Sequence, residues 1–183
     1  MLGDALLSAL RLATEALEEC RIPYALIGGL GAMLRGRIRN TRDCDILAIL
    51  EDVEPIREAL RRRGFSHLDR ADRHSLDDVV LFRFWYPVVQ SGFSLSVDLQ
   101  SGGTDLHRSV LERACPVSFL GLGVRVATRE DLILLKLSAW RPIDRADAID
   151  LLQANGSLDQ TYLERWASRL SLVERLEEIR SHP

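Results

Sequence analysis

Ile27-Gly28-Gly29-Leu30-Gly31-Ala32-Met33-Leu34-Arg35-Gly36-Arg37-Ile38-Arg39-Asn40-Thr41-Arg42-Asp43-Cys44-Asp45-Ile46-Leu47 is the stretch whose reading decides the fold. The short apolar run Tyr24 to Ile27 leads into it as a strand, Gly28-Gly29 makes a turn, Leu30 to Leu34 suits a helix, and Cys44 to Leu50 reads as a buried strand. Two glycines between a strand and a helix let backbone N–H groups approach a phosphate closely. A lone Gly-Gly is more often a bare turn. The acidic pair adds weight, because residues two apart on a strand share a face: Asp43 and Asp45 project together while Cys44 and Ile46 face the core. Carboxylates about 6 to 7 Å apart repel by about 2 to 3 kcal/mol at an effective dielectric near 20. In full solvent that repulsion fades, and Arg39 and Arg42 are close enough in sequence to neutralise it. In a cleft the pair favours a divalent cation, and oxygen-only ligands select magnesium or manganese.

A third carboxylate would complete a two-metal site. Ser94-Leu95-Ser96-Val97-Asp98-Leu99 alternates, which places Ser94, Ser96 and Asp98 on one face and Leu95, Val97 and Leu99 on the other. Asp98 lies beside Asp43 and Asp45 if the two strands are neighbours, and is otherwise an ordinary solvent-facing aspartate.

Outward from this centre, Leu2, Leu6, Leu10, Ala13 and Leu17 recur at helical spacing and stop before Pro23. Asp52 is a candidate N-cap for a helix to Arg63, with Gly64 as its stop. Val79 to Tyr86 and Phe93 to Leu99 read as strands, Thr104 to Ala114 as a helix, and Val117 to Val126 as a hairpin. Thr128 with Asp131 resembles a capping box before an apolar helix, Leu132 to Trp140, and helices broken at Asn155-Gly156 fill the remainder. A mixed sheet followed by helices makes an α+β fold, with a core over 1–127 and a helical part over 128–183 packed into one compact unit.

The 183 residues suffice for one domain with a real core, and 46% hydrophobic with 28% charged residues is ordinary for a folded chain. The net charge of −3 argues against attachment to nucleic acid by bulk charge, leaving only a local basic patch for that role. Cys20, Cys44 and Cys115 show neither CxxC nor zinc spacing and read as reduced packing residues. An acid near the N-terminus does not suit a signal peptide, and no apolar run is long enough to span a bilayer. A cytoplasmic protein without membrane attachment is expected. His67, His74, His107 and His182 are scattered, and neither a Ser-His-Asp order nor a GxxxxGK[ST] loop is present. Lys136 is the sole lysine.

The Gly-Gly turn, the helix after it, and Arg39-x-Thr41-x-Asp43-x-Asp45 with apolar residues following resemble the signature of the DNA polymerase β-like nucleotidyltransferases. The resemblance covers about the first hundred residues. It implies a nucleotidyltransferase-like mixed sheet, a glycine turn (Gly28, Gly29) that holds the triphosphate of an NTP, an acid pair (Asp43, Asp45) that binds Mg2+ or Mn2+, and a third acid on a later strand, Asp98. Glu130 to Asp147, with Lys136-Leu-Ser-Ala, Arg141, Asp144 and Asp147, is similar to a segment of the AbiEii-like branch, which includes toxins that modify transfer RNA. That likeness implies a phosphate contact for Lys136 and, by extension, a tRNA or protein acceptor and an antitoxin partner. Lys136 sits among Leu132, Ile133, Leu135, Leu137 and Trp140, where a cation either snorkels to solvent or faces an anion in a cleft. If Lys136 contacts phosphate, removing its charge is expected to weaken NTP binding while changing stability little, because its apolar packing survives. Asp144 reads as a helix N-cap with Asp147 in the first turn, and Arg141 as a partner of either. The turn is Gly-Gly where Gly-Ser is commoner, and the chain is shorter than such toxins.

The function expected is metal-dependent transfer of an NMP group from an NTP to an acceptor hydroxyl, releasing pyrophosphate, with Asp43, Asp45 and Asp98 both catalytic and metal-binding and Gly28, Gly29 and Lys136 on the phosphates. The alternative is a catalytically idle module of the same fold that binds nucleotide, RNA or a protein. Arg35, Arg37, Arg39, Arg42, Arg57 and Arg61 to Arg63 would supply cations for an RNA backbone, or else be solvated helix faces.

Overall fold

A computed structural model describes residues 2–37, 41, 43–67, 74–76, 79–88 and 92–181. Arg39 and Arg42, and with them the proposed local neutralisation of the acid pair, lie outside the described residues. The chain opens with helix α1 (Leu2–Glu19), whose Leu6, Ala9, Leu10, Ala13, Ala16 and Leu17 form one buried stripe. It ends where Arg21 turns left-handed and the Ile22 N–H bonds back to the Leu17 carbonyl, just ahead of Pro23. Strand β1 (Tyr24–Leu26) runs into α2 (Gly28–Leu34), and β2 (Cys44–Ala48) follows. The helix starts two residues earlier than the sequence suggests, so the glycine pair forms its first turn. Helix α3 (Glu54–Arg62) begins after Val53, and the Asp52 side chain accepts from the Glu54 N–H at 3.0 Å. The short strand β3 (His74–Leu76), not expected from the sequence, pairs with β4 (Val79–Pro87), which pairs with β5 (Ser94–Gly102).

Helix α4 (Asp105–Arg113) is capped by Thr104, with the His107 side chain returning the bond to the Thr104 N–H. Strands β6 (Cys115–Phe119) and β7 (Leu122–Val126) form the expected hairpin, turning at Leu120-Gly121, both at positive φ. Helix α5 (Arg129–Ala139) is capped by Thr128, which accepts from the Asp131 N–H, and ends at a left-handed Trp140. Its last carbonyls, from Leu137 and Ser138, accept from Arg175. Three helices close the chain: α6 (Pro142–Gln153), α7 (Gln160–Arg169) and α8 (Val173–Arg180).

The strands form one mixed sheet in the order β3-β4-β5-β2-β1-β7-β6, with β5–β2 and β1–β7 parallel and the other pairs antiparallel. This is the α+β, nucleotidyltransferase-like architecture that the sequence suggests. One face, carrying Cys44, Ile46, Phe84, Leu95, Val97 and Leu99, packs under α1 and α3. The other, carrying Ala25 and Leu47, packs against α4 to α8 through Leu132, Ile133, Leu137, Leu151, Leu163 and Trp166. The second group of helices packs over the sheet from this side, and a polar cavity is left over the start of β2 and the middle of β5. No helix among the described residues is long and apolar enough to cross a membrane.

Candidate active site

The alternation of β2 and β5 sets the site. The strands run parallel with Asp45 opposite Asp98 and Cys44 opposite Val97, so the buried Cys44 and Val97 fill the core and the two aspartates stand side by side on the reverse face. Burial pushes the Cys44 thiol up to about 12, as befits a packing residue. Asp43 precedes β2 with an exposed side chain and accepts from the Ser96 hydroxyl at 2.8 Å. Gln100 donates to Asp45 at 3.3 Å. Burial, reinforced by the charges of Asp98 and Asp43, holds the Asp45 carboxyl above its ordinary value, against the pull of Lys136 and of a hydrogen bond from the Gly29 N–H.

Gly28 is left-handed, with φ of +60°, and a Cβ built there would fall inside the Asp45 carboxylate. Only glycine lets the β1–α2 turn lie against that acid. The glycine pair therefore serves the acid directly, and the N–H of Gly29 is already engaged by it.

Lys136 projects from α5 into the same space. Its ammonium lies 2.8 Å from Asp144 and 2.9 Å from Asp147, and both carboxylates are fully buried. Arg141 also bonds Asp144, with its Nε at 2.5 Å, and Arg37 pairs with Asp147 and with Asp150. Burial alone would raise the Asp144 carboxyl, but hydrogen bonds from Arg141 and Lys136 outweigh it and hold the group below its ordinary value. This corrects three expectations. Asp144 does not cap a helix: Arg141 occupies the N-cap position of α6 without a side-chain bond, and Asp144 itself lies in the first turn, where the sequence suggests Asp147. Lys136 neither snorkels nor stands alone: it belongs to a buried ion cluster. Removing its charge would therefore disturb the fold.

Gly28, Gly29, Asp43, Asp45, Asp98 and Lys136 all line one cavity of about 290 Å3, together with Thr41, Arg83, Gln100, Arg141 and Asp144. The residues singled out from the sequence thus meet. Arg83, like Gln100, is a residue that the sequence reading missed. It faces Asp98 across the β4–β5 pair and donates Nε and an Nη to its two oxygens at 2.8 and 2.6 Å. The signal was present as a lone cation in the apolar run Val79 to Tyr86. A second cavity of about 570 Å3 adjoins the first, shares Asp43 and Arg83 with it, and is lined otherwise by Trp85, Phe93, Ser94, Leu95 and Ser96.

The donor set suits a hard divalent cation. Asp43, Asp45 and Asp98 line one cavity, and burial together with the charges of Asp98 and Asp43 holds the Asp45 carboxyl above its ordinary value. Among the described residues no three His, Cys, Asp or Glu side chains form a ready metal cage. Magnesium, however, is commonly held by one or two carboxylates and completed by substrate phosphates. The arginines that suggested an RNA contact are mostly spoken for. Arg35 bonds the Val126 and Ala127 carbonyls, Arg37 binds Asp147 and Asp150, and Arg57 and Arg61 pair along α3. Arg62 and Arg63 share Glu19.

Comparison with solved structures agrees with this fold. The chain is similar to antibiotic-resistance factor ANT(2'')-Ia, both in solution (17% identity, TM-score 0.58, 96% of each chain covered) and in a crystal complex with adenylyl-2''-tobramycin (17%, 0.59, 91% of this chain and 96% of that one). It is also similar to the lincosamide antibiotic adenylyltransferase LnuA bound to lincomycin (17%, 0.50, 78% and 94%). A search of curated proteins by sequence found no match. One family profile, described as a nucleotidyltransferase of unknown function (DUF6036), matches residues 4–180. With nearly its whole length matched, the chain belongs to the DUF6036 family of nucleotidyltransferases.

Proposed function

We propose that this nucleotidyltransferase moves a nucleoside monophosphate from an NTP to an acceptor hydroxyl and releases pyrophosphate. The observation that carries the reading is the single cavity in which Asp43, Asp45 and Asp98 face Gly28, Gly29 and Lys136. The acceptor oxygen forms a bond to the α-phosphorus, and the bond from that phosphorus to the bridging oxygen breaks, its electron pair leaving with pyrophosphate. Asp98 takes the hydroxyl proton. To do so it must recover an oxygen from Arg83, whose half-exposed guanidinium lines the same cavity and is placed to turn from the carboxylate to an incoming phosphate. Lys136, held between Asp144 and Asp147, faces the phosphates, and the β1–α2 turn fixes where they lie. Asp43 and Asp45 would hold Mg2+ or Mn2+, which supplies charge neutralisation for the triphosphate. Such chemistry depends on positioning and electrostatic stabilisation rather than on a covalent intermediate.

A transfer RNA or protein acceptor and an antitoxin partner are finer readings that follow the AbiEii-like resemblance of Glu130 to Asp147. The RNA reading draws no support from Arg35, Arg37, Arg57 and Arg61 to Arg63, which are bonded within the chain. The test is incubation with each α-labelled NTP, magnesium and separate pools of small hydroxyl compounds, RNA and protein. Label should move to one acceptor class in the wild type and not in Asp45→Asn. No transfer from any NTP to any pool, with either metal, would refute the proposal.

A further inference from the structure

From the second cavity we infer that the acceptor is a small molecule presenting its hydroxyl beside a flat, uncharged ring, with Trp85 and Phe93 as the selecting residues. The inference rests on the nucleotidyltransfer reading and deepens it. The cavity touches the polar one at Asp43 and Arg83, so an occupant meets the triphosphate where transfer would occur. Strand register explains its character. Trp85 stands two residues beyond Arg83 on β4 and opposite Ser96 on β5, on the same open face as the aspartates. Beyond them the cavity is lined by Phe93, which immediately precedes β5, and by the hydroxyl-bearing Ser94 rather than by acids. Among the described lining residues there is one carboxylate, Asp43, already taking the Ser96 hydroxyl, and one cation, Arg83, bound to Asp98.

Such a surface suits stacking of a flat ring. It does not suit a polycation, whose amino groups would need several carboxylates to replace their water. Phe93 is 45% exposed, an apolar ring left in water until something covers it. The volume, about 570 Å3, falls within the range of pockets that enclose drug-sized ligands. Size therefore favours a small molecule over a polymer.

The test uses the whole chain with three probes: 4-nitrophenyl glucoside as an uncharged aromatic alcohol, tobramycin as a polycation, and a single-stranded RNA hexamer. Each is titrated calorimetrically against wild type, Trp85→Ala and Trp85→Phe. The glucoside should bind at least about tenfold more tightly than tobramycin. Trp85→Ala should weaken it by about tenfold, while Trp85→Phe, which keeps a flat face and shows that a ring rather than the fold is at stake, should restore most of that loss. Equal or tighter tobramycin binding, Trp85-dependent RNA binding tighter than the glucoside, or glucoside affinity indifferent to Trp85→Ala would each overturn the inference. Nucleotide binding is read separately, as a rise in melting temperature with Mg2+ and each NTP. A response to NTP without glucoside binding sinks the acceptor assignment alone. Glucoside binding without any NTP response sinks the nucleotidyltransfer reading and the acceptor role with it.

Discussion

Asp45 is held in a place that costs stability in the absence of ligand, and Asp45→Asn measures that cost. Burial is the first part of that cost. Asp98 adds to it from the neighbouring strand, at a spacing of about 5 Å, worth about 3 kcal/mol of repulsion at an effective dielectric near 20. Asp43 adds a weaker push. Lys136, the Gly29 N–H and the guanidinium of Arg83 on Asp98 take back part of both, so about 1 to 2 kcal/mol remains as an order of magnitude. Asparagine keeps the shape and an acceptor oxygen. Asp45→Asn should therefore melt about 2 to 8 °C above wild type without ligand at pH 7.5, from the usual slope for a chain of this size. The sign follows from linkage. The folded carboxyl lies above its unfolded value, so the native state holds its proton more firmly. The charged form is then penalised in full at pH above the folded value. The advantage of asparagine should accordingly shrink as pH falls through that value towards the ordinary carboxylate range. With Mg2+ and NTP the order should invert: wild type gains about 2.7 kcal/mol at a hundredfold excess over Kd, and the variant gains little. Scanning calorimetry at two pH values reads both effects. A variant that melts below wild type without ligand, or that keeps the full ligand response, would refute the reasoning.

Gly28→Ala should cost about 1 to 3 kcal/mol of stability and abolish the melting response to NTP, because the new methyl group collides with Asp45 at a left-handed residue. Lys136→Met should destabilise by about 3 to 5 kcal/mol in urea unfolding, since it leaves Asp144 and Asp147 buried with less countercharge; an unchanged midpoint would show that Arg37 and Arg141 suffice. Asp98→Ala should cut turnover by about a hundredfold or more with a smaller effect on nucleotide affinity. Asp105→Ala, at an exposed acid paired with Arg169 and Arg108 on the surface of α4, should leave turnover alone. Asp144→Asn should lose stability that is fully present above the unfolded carboxylate value near 3.8 and disappears as pH falls through the lower folded value. Its melting deficit should therefore be constant from pH 7 to pH 5 and narrow below pH 4.

The fold was legible where local chemistry decides it. Alternation in Ser94 to Leu99 assigns faces without any knowledge of neighbours, and Thr104 and Thr128 announce helix starts because a hydroxyl at that position satisfies an orphan N–H. Asp98 could be placed on the polar face of its strand, but only the parallel pairing of β2 with β5 sets it against Asp45. Arg83 depended on register between β4 and β5, a long-range fact that periodicity does not contain. The Asp144 error has the same origin. An aspartate near a helix start is an ordinary cap, and nothing local reveals that α5 lies beside it with the chain's one lysine. Strand β3 is three residues in a charged neighbourhood, too short to show a pattern.

That single lysine gives the molecule a built-in reporter. An amine-reactive reagent finds two kinds of target in this chain, the terminal amino group and one ε-ammonium that is 8% exposed and clamped by two carboxylates. Covalent labelling at Lys136, read as a mass increment on one peptide, therefore follows how often α5 and α6 part, with no engineered probe. Labelling that is slow in the free protein, slower still with nucleotide and fast in Asp144→Asn would turn the cleft's opening into a rate that can be timed.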